Sequence, residues 1–321
     1  MISAARIFLT GATGTIGRAV LEALQNAGYE TVCFGRSQGP PAARTTWHTG
    51  DVTDAASIAT DGLRGERFDA VISCIASRTG VPDEAWAIDH GANAALLKAA
   101  TGAKIPHFTL LSAICVQKPK LAFQHAKLAF ETELKASALD WTIIRPTAFF
   151  KSLTGQLARV QSGKPYHVFG DGRLTACKPI SDRDLARFIV SGLGNPAHRN
   201  QTLAIGGPGP ALTPRDVAEH MFKRLDRAPT FQSVPVWAMR AIAGGLTAAG
   251  ALAPPLKRKA ALARIGLYYG TESMLHWDPG AARYDADATP ETGADTLPGH
   301  IDALISGRAQ DTRGAHAVFM P

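Results

Sequence analysis

Short apolar runs alternate with stretches of helical periodicity through the first 150 residues, the pattern of successive β-α units that feed a parallel sheet. Arg6–Thr10 predicts a strand. Ile16, Val20, Leu21 and Leu24 fall on one helical face and predict a helix over 16–27 that Gly28 closes. Residues 31–34, 70–75, 108–112 and 141–144 predict further strands, with helices near 93–100 and 123–136 between them. The expected fold is α/β, a Rossmann-type doubly wound parallel sheet with a smaller C-terminal substrate lobe.

Beyond Arg145-Pro146 the alternation fades, and Gly163, Pro165, Gly170 and Gly172 mark turns. A dinucleotide-binding domain over 1–150 and a substrate lobe over 151–321 follow from this. Residues 200–206 are expected to return to the first sheet, so the lobes interleave. A helix is expected after Thr213, and 279–298 reads as a polar, turn-rich stretch. The weakly charged stretch 234–256 has about the length that spans a bilayer, but Pro235, Arg240, Gly244, Gly245, Gly250 and Pro254-Pro255 interrupt it. It predicts a buried or surface-lying helix pair and leaves peripheral membrane association open.

Composition narrows the class. With 45% hydrophobic residues in 321 the chain has ample core, which excludes global disorder. Cys33, Cys74, Cys115 and Cys177 form no Cys-x-x-Cys pair, so neither a disulfide framework nor a cysteine zinc site is expected. No His/Asp/Glu cluster suggests an independent metal site either. The first residues run straight into a strand without a targeting pattern, and a cytoplasmic location is expected. Residues 104–187 carry 13 Lys and Arg against 6 Asp and Glu, an excess equal to the whole net charge of +7. No nucleic-acid module accompanies these cations, so phosphates of a cofactor or carboxylates of a substrate are the expected partners, not DNA or RNA.

The first predicted strand runs into Gly11-Ala12-Thr13-Gly14-Thr15-Ile16-Gly17, a G-x-x-G-x-x-G at a strand-to-helix turn. Gly11 permits the tight exit, Gly14 a close backbone approach to a pyrophosphate, and Gly17 close packing of helix on sheet. Helix-start amides then hold the phosphates. After the second strand the chain reads Phe34-Gly35-Arg36-Ser37, with no carboxylate to repel a 2′-phosphate. Arg36 offers that phosphate a fork of donors and Arg18 assists, so NADPH is the expected cofactor.

This loop resembles that of the extended and atypical short-chain dehydrogenases/reductases. Their serine matches Ser112, at the end of a predicted strand. Their Tyr-x-x-x-Lys falls on Phe123-Gln124-His125-Ala126-Lys127, which keeps the lysine and lacks the phenol. Reduction of a ketone needs an acid for the nascent alkoxide, whereas hydride addition to a conjugated carbon-carbon double bond leaves a delocalised anion that can take its proton elsewhere. The missing tyrosine therefore argues against alcohol chemistry. Lys127 can still bond the nicotinamide ribose and place charge near the reacting centre, and His125 is one alternative acid.

Three blocks narrow the resemblance. The stretches 111–119 with 123–128, 170–181, and 268–275 continuing to 283–290 are similar to those of NADPH-dependent divinyl chlorophyllide 8-vinyl-reductases. The likeness implies reduction of the 8-vinyl group of a magnesium tetrapyrrole to ethyl, in chlorophyll or bacteriochlorophyll synthesis, with the magnesium arriving inside the substrate. It implies cofactor contacts at Gly11, Thr13, Gly14, Thr15, Ile16, Gly17, Arg36, Asp51, Ala76, Ser112, Lys127 and Pro146, with Lys127 also catalytic. A wide apolar plate with carboxyl-bearing edges calls for aromatic walls and a few cations. Phe149, Phe150, Trp237, Tyr268 and Tyr269 are candidate walls, and Lys151, Lys178 and Arg173 candidate carboxylate partners. The alternatives are a reductase of another conjugated double bond and a non-catalytic NADPH-sensing or assembly protein.

Overall fold

The computed structural model of the protein describes residues 5–310. Strands β1 (Arg6–Thr10), β2 (Glu30–Gly35), β3 (Thr45–Thr49), β4 (Ala70–Ser73), β5 (His107–Leu111), β6 (Asp140–Pro146) and β8 (Gln201–Ile205) form one parallel sheet in the order β3-β2-β1-β4-β5-β6-β8. This is the doubly wound α/β architecture. The order reverses between β1 and β4, and the crevice beyond their carboxyl ends is where such sheets bind ligands.

Side chains alternate across the sheet as the strand period demands. Ile7 and Leu9 enter a cluster with Val20, Leu24, Leu185 and Ile189, beneath α1 (Thr15–Asn26) and α4 (Asp182–Ser191). Phe8 enters the opposite cluster with Phe34, Phe108, Leu96 and Phe130, beneath α2 (Asn93–Gly102) and α3 (Ala122–Lys135). Each layer buries one apolar stripe of its helices, which holds the loops at the top of the sheet in place.

Several boundaries differ from the sequence expectation. The edge strand β3 was not expected, because Thr45-Thr46-Trp47-His48-Thr49 is mostly polar. Helix α4 was not expected either, although Ser181 caps it by accepting from the Asp184 amide at 2.9 Å. Helix α2 extends beyond the expected stretch and follows a π-helical segment, Ala85–Ala92. Residues 74 and 75 lie outside β4, and Ser112 lies just past β5.

The second lobe has its own core, in which Phe150, Tyr166, Val168, Met221, Phe222 and Ile301 meet. It joins α5 (Pro214–Arg224), α8 (Leu297–Ile305) and the parallel pair β7 (Tyr166–Phe169) and β9 (Phe231–Val234). The stretch 234–256 contains α6 (Val236–Leu252), which packs on α7 (Pro254–Thr271); Trp237 and Ile242 are exposed. Among the described residues no helix is long and apolar enough to cross a membrane. The turn-rich stretch 279–298 contains β11 (Arg283–Asp285), which pairs antiparallel with β10 (His276–Asp278).

Candidate functional site

The glycine loop sits at the switch point of the sheet. Gly11 adopts φ +79°, and a Cβ there would lie 2.6 Å from the Cys74 carbonyl oxygen of the chain leaving β4. A Cβ at Gly17 would collide with the Gly11 carbonyl. The Gly14 amide closes the turn on Gly11 O at 3.0 Å, and Gly14 caps α1 without any side chain. Helix α1 also has no acidic residue in its first turn. The loop therefore fits a pyrophosphate: its backbone is stripped of side chains where a ligand must come close, and its helix end favours an anion.

The second lobe reaches this loop. Lys151 Nζ donates to Thr15 Oγ1 at 2.5 Å, and Arg18 and Asp182 are its charged neighbours. Burial depresses the Lys151 ammonium, with Arg18 adding to the effect, while burial raises the Asp182 carboxyl. Among the described residues, Asp182 Oδ1 is buried without a hydrogen-bond partner.

Arg36 is exposed directly after β2, at the carboxyl end where an adenosine ribose lies in this fold. Asp51 accepts from the Thr53 hydroxyl at 2.7 Å and its amide at 2.8 Å; these bonds, aided by Arg36, hold its carboxyl below the usual range. Ala76 is exposed on the segment after β4, and Pro146 is buried at the end of β6. Thr13 is exposed in the loop and Ile16 is buried under it.

Lys127 lies in α3 and is nearly buried. Its ammonium pairs with Asp89 Oδ1 at 2.9 Å. Asp89 sits in the π-helical segment, is 1% exposed, and accepts from both the amide and the hydroxyl of Ser77. Asn93 reaches back to the Asp89 carbonyl at 3.1 Å and accepts from Ser73, at the end of β4, at 2.6 Å. A π-bulge of this kind re-aims side chains within a helix, and here it aims a carboxylate at the lysine. The sequence expectation missed Asp89, since Ile88-Asp89-His90 looks like an ordinary helical turn.

Ser112 Oγ donates to Glu131 Oε1 at 2.6 Å, and Glu131 also pairs with the Arg145 guanidinium. This buried ion pair, like Asp89, was invisible in the sequence. Phe123 is buried with Cys115, Ile265 and Tyr268, a cluster that brings α7 of the second lobe onto the start of α3. Tyr268 donates to the Cys115 and Lys118 carbonyls at 3.0 and 3.1 Å. Tyr269 is 45% exposed, with its ring edge-on to Tyr268 at 5.7 Å. His125 is exposed.

The remaining candidates are dispersed. Phe149 is partly buried against the sheet, and Phe150 lies in the second lobe's core with its ring 5.4 Å from that of His300. Lys178 is buried and paired with Glu291; Arg173 is exposed and 3.4 Å from Asp216. An open groove of about 460 Å³ between α6 and α7 is lined by Arg240, Ala243, Gly244, Thr247, Ala248, Arg264 and Leu267. Among the described residues no group of three or more His, Cys, Asp or Glu could hold a metal ion.

Comparison with known proteins agrees with this geometry. Residues 11–196 match the NAD(P)H-binding family. The chain is 41% identical to the divinyl chlorophyllide a 8-vinyl-reductase of Oryza sativa subsp. indica, over 98% of this chain and 82% of that protein. The protein of the same name from Zea mays is also 41% identical, over the same shares. The NADPH complex of Vitis vinifera leucoanthocyanidin reductase superposes with a TM-score of 0.67 over 94% of this chain and all of that one. At 17% identity it shows the shared fold.

Proposed function

The chain belongs to the divinyl chlorophyllide a 8-vinyl-reductase family, and from that membership we propose that it reduces the 8-vinyl group of a divinyl chlorophyllide or protochlorophyllide to ethyl, with NADPH as reductant. The observation that carries the proposal is the extent of the identity, which runs through the second lobe as well as the nucleotide-binding half. A cofactor fold alone would say nothing about the substrate. The reaction belongs to chlorophyll or bacteriochlorophyll synthesis, and the magnesium enters with the tetrapyrrole.

Bound NADPH supplies the hydride. The chain positions it: Gly11, Thr13, Gly14, Thr15, Ile16 and Gly17 receive the pyrophosphate, Arg36 the 2′-phosphate and Asp51 the adenosine side. Ala76, Ser112 and Pro146 flank the nicotinamide end. Lys127, fixed by Asp89, is the donor to the nicotinamide ribose and keeps positive charge beside the olefin. Phe123 lines this place with an apolar ring, as suits a substrate whose reacting bond makes no alkoxide. For the macrocycle, the groove between α6 and α7 combines small apolar side chains with Arg240 and Arg264, the chemistry of a flat apolar body with a carboxylate edge. Phe149 and Lys178 remain candidates for the inner wall. We place the protein in the cytoplasm, whereas the plant relatives are named as chloroplastic.

Purified protein given NADPH and divinyl chlorophyllide without oxygen is expected to yield the monovinyl product, seen as a blue shift of the Soret band. An unchanged spectrum with intact substrate overturns the proposal. An enone turned over in its place favours a reductase of another conjugated bond.

A further inference from the structure

Helices α6 and α7 form a hairpin whose charge is of one sign. Residues 236–271 contain five cations, Arg240, Lys257, Arg258, Lys259 and Arg264, and no Asp or Glu. All five are exposed. Among the described residues none of them forms an ion pair, whereas Arg173 and Arg224, exposed elsewhere on this lobe, are paired with Asp216 and Asp302.

The same hairpin exposes an apolar stripe. Trp237 is 73% exposed and Ile242 52%, and Ala241 and Gly245 are exposed with them. Trp237, Ala241 and Gly245 recur every four residues and so share one face of α6, with Ile242 beside it. None of these four residues lines the groove between α6 and α7. The cations stand close to the stripe. Arg240 follows Trp237 by one turn, and a Cβ on Gly250, near the end of α6, would lie 3.2 Å from the Lys257 amide nitrogen, which sets the three consecutive cations against that end.

We propose that this hairpin is a docking surface for a bilayer rich in anionic lipid. With 17 residues α6 falls short of a span, and an exposed apolar face beside cations suits a helix that lies in the headgroup region. Tryptophan is enriched at that depth, where its ring meets both acyl chain and headgroup. Each cation is drawn to the lipid phosphates, and no carboxylate of the hairpin opposes it. A second copy of the chain does not suit the face, because a two-fold contact sets the same cations against themselves. A protein partner finds little to interlock with, since Ala241 and Gly245 give the stripe no ridges.

The test is co-sedimentation of the full chain with vesicles of equal parts phosphatidylglycerol and phosphatidylcholine, and with vesicles of phosphatidylcholine alone. The expected result is binding to the anionic vesicles only, released by high salt. The triple variant Lys257→Glu, Arg258→Glu, Lys259→Glu is expected to bind them about tenfold more weakly or worse. Ile242→Ser is expected to lose about fivefold. NADPH affinity within about twofold of the wild type in both variants reports that they are folded, since neither change touches the glycine loop or Arg36. Failure to bind the anionic vesicles overturns the proposal, and so does equal binding to both vesicle types or a triple variant that binds like the wild type. A dimer in size-exclusion chromatography that Ile242→Ser dissociates gives the face to a second copy instead. Binding of poly-glutamate by a protein that ignores both vesicle types gives it to an acidic protein instead. No arm contains a tetrapyrrole, so each outcome leaves the vinyl-reductase reading as it stands.

Discussion

Arg36 shows what a single position decides. It stands exposed after β2, with Asp51 a charged neighbour that is itself tied to Thr53. Replacing it with Glu removes a charge-assisted contact and adds repulsion toward a 2′-phosphate. Arg36→Glu is expected to weaken NADPH about 30-fold, ~2 kcal/mol, and NADH far less. Equal NADPH binding in both proteins would remove Arg36 from the site. At this scale the glycine loop, Arg36 and the Phe123/Lys127 step could be read directly, because each depends on local chain chemistry. The partners of those residues could not: Asp89 stands 38 positions from Lys127, and Glu131 19 from Ser112.

At the scale of elements, the segment after α7 is strapped to the loop after β5 by one carboxylate. Glu272 accepts from Lys118 at 2.9 Å, from Lys120, and from the Tyr284 hydroxyl, while Lys118 also lies 4.1 Å from the centre of the Trp277 ring. Burial alone would raise the Glu272 carboxyl; the bonds from Lys120, Lys118 and Tyr284 outweigh it and hold the pKa below its usual value. A depressed carboxyl contributes stability that is present above its unfolded pKa, about 4.3, and lost as pH falls through the lower folded value. Glu272→Gln is expected to cost about 2 kcal/mol near neutrality, since the exposed lysines temper a larger buried-pair penalty. Urea unfolding across pH checks this, and the gap from the wild type should close below about pH 4. A gap that stays constant down to that pH would show that the charge is not what matters. The sequence reading expected a helix pair within 234–256, where α6 and only the first turn of α7 lie, and it gave no sign of this strap.

The whole molecule is two lobes that share one chain unevenly. Strand β8 lies in the first sheet beside β6, and α4 packs beside α1, so the chain returns to the nucleotide-binding half after leaving it. Lys151 makes a second connection, from the other lobe to the start of α1. The sequence reading made it a candidate partner of a substrate carboxylate; its contact with Thr15 sets it beside the glycine loop, where we propose that the pyrophosphate lies. Lys151→Met is expected to raise the NADPH dissociation constant about tenfold, ~1.4 kcal/mol, with little change in KM for the tetrapyrrole. The opposite split would return Lys151 to the substrate.

Period and turn chemistry are local, and for that reason the sequence by itself determined the β-α alternation, the phosphate loop with its three glycines, the missing phenol and the family blocks. The pairing of Lys127 with Asp89, the burial of the Ser112 hydroxyl against Glu131 and the bond from Tyr268 to the Cys115 carbonyl were decided only by the tertiary structure. Each joins residues distant along the chain, and in a protein interior a charge or hydroxyl takes its partner from whichever segments packing has brought within a few ångströms.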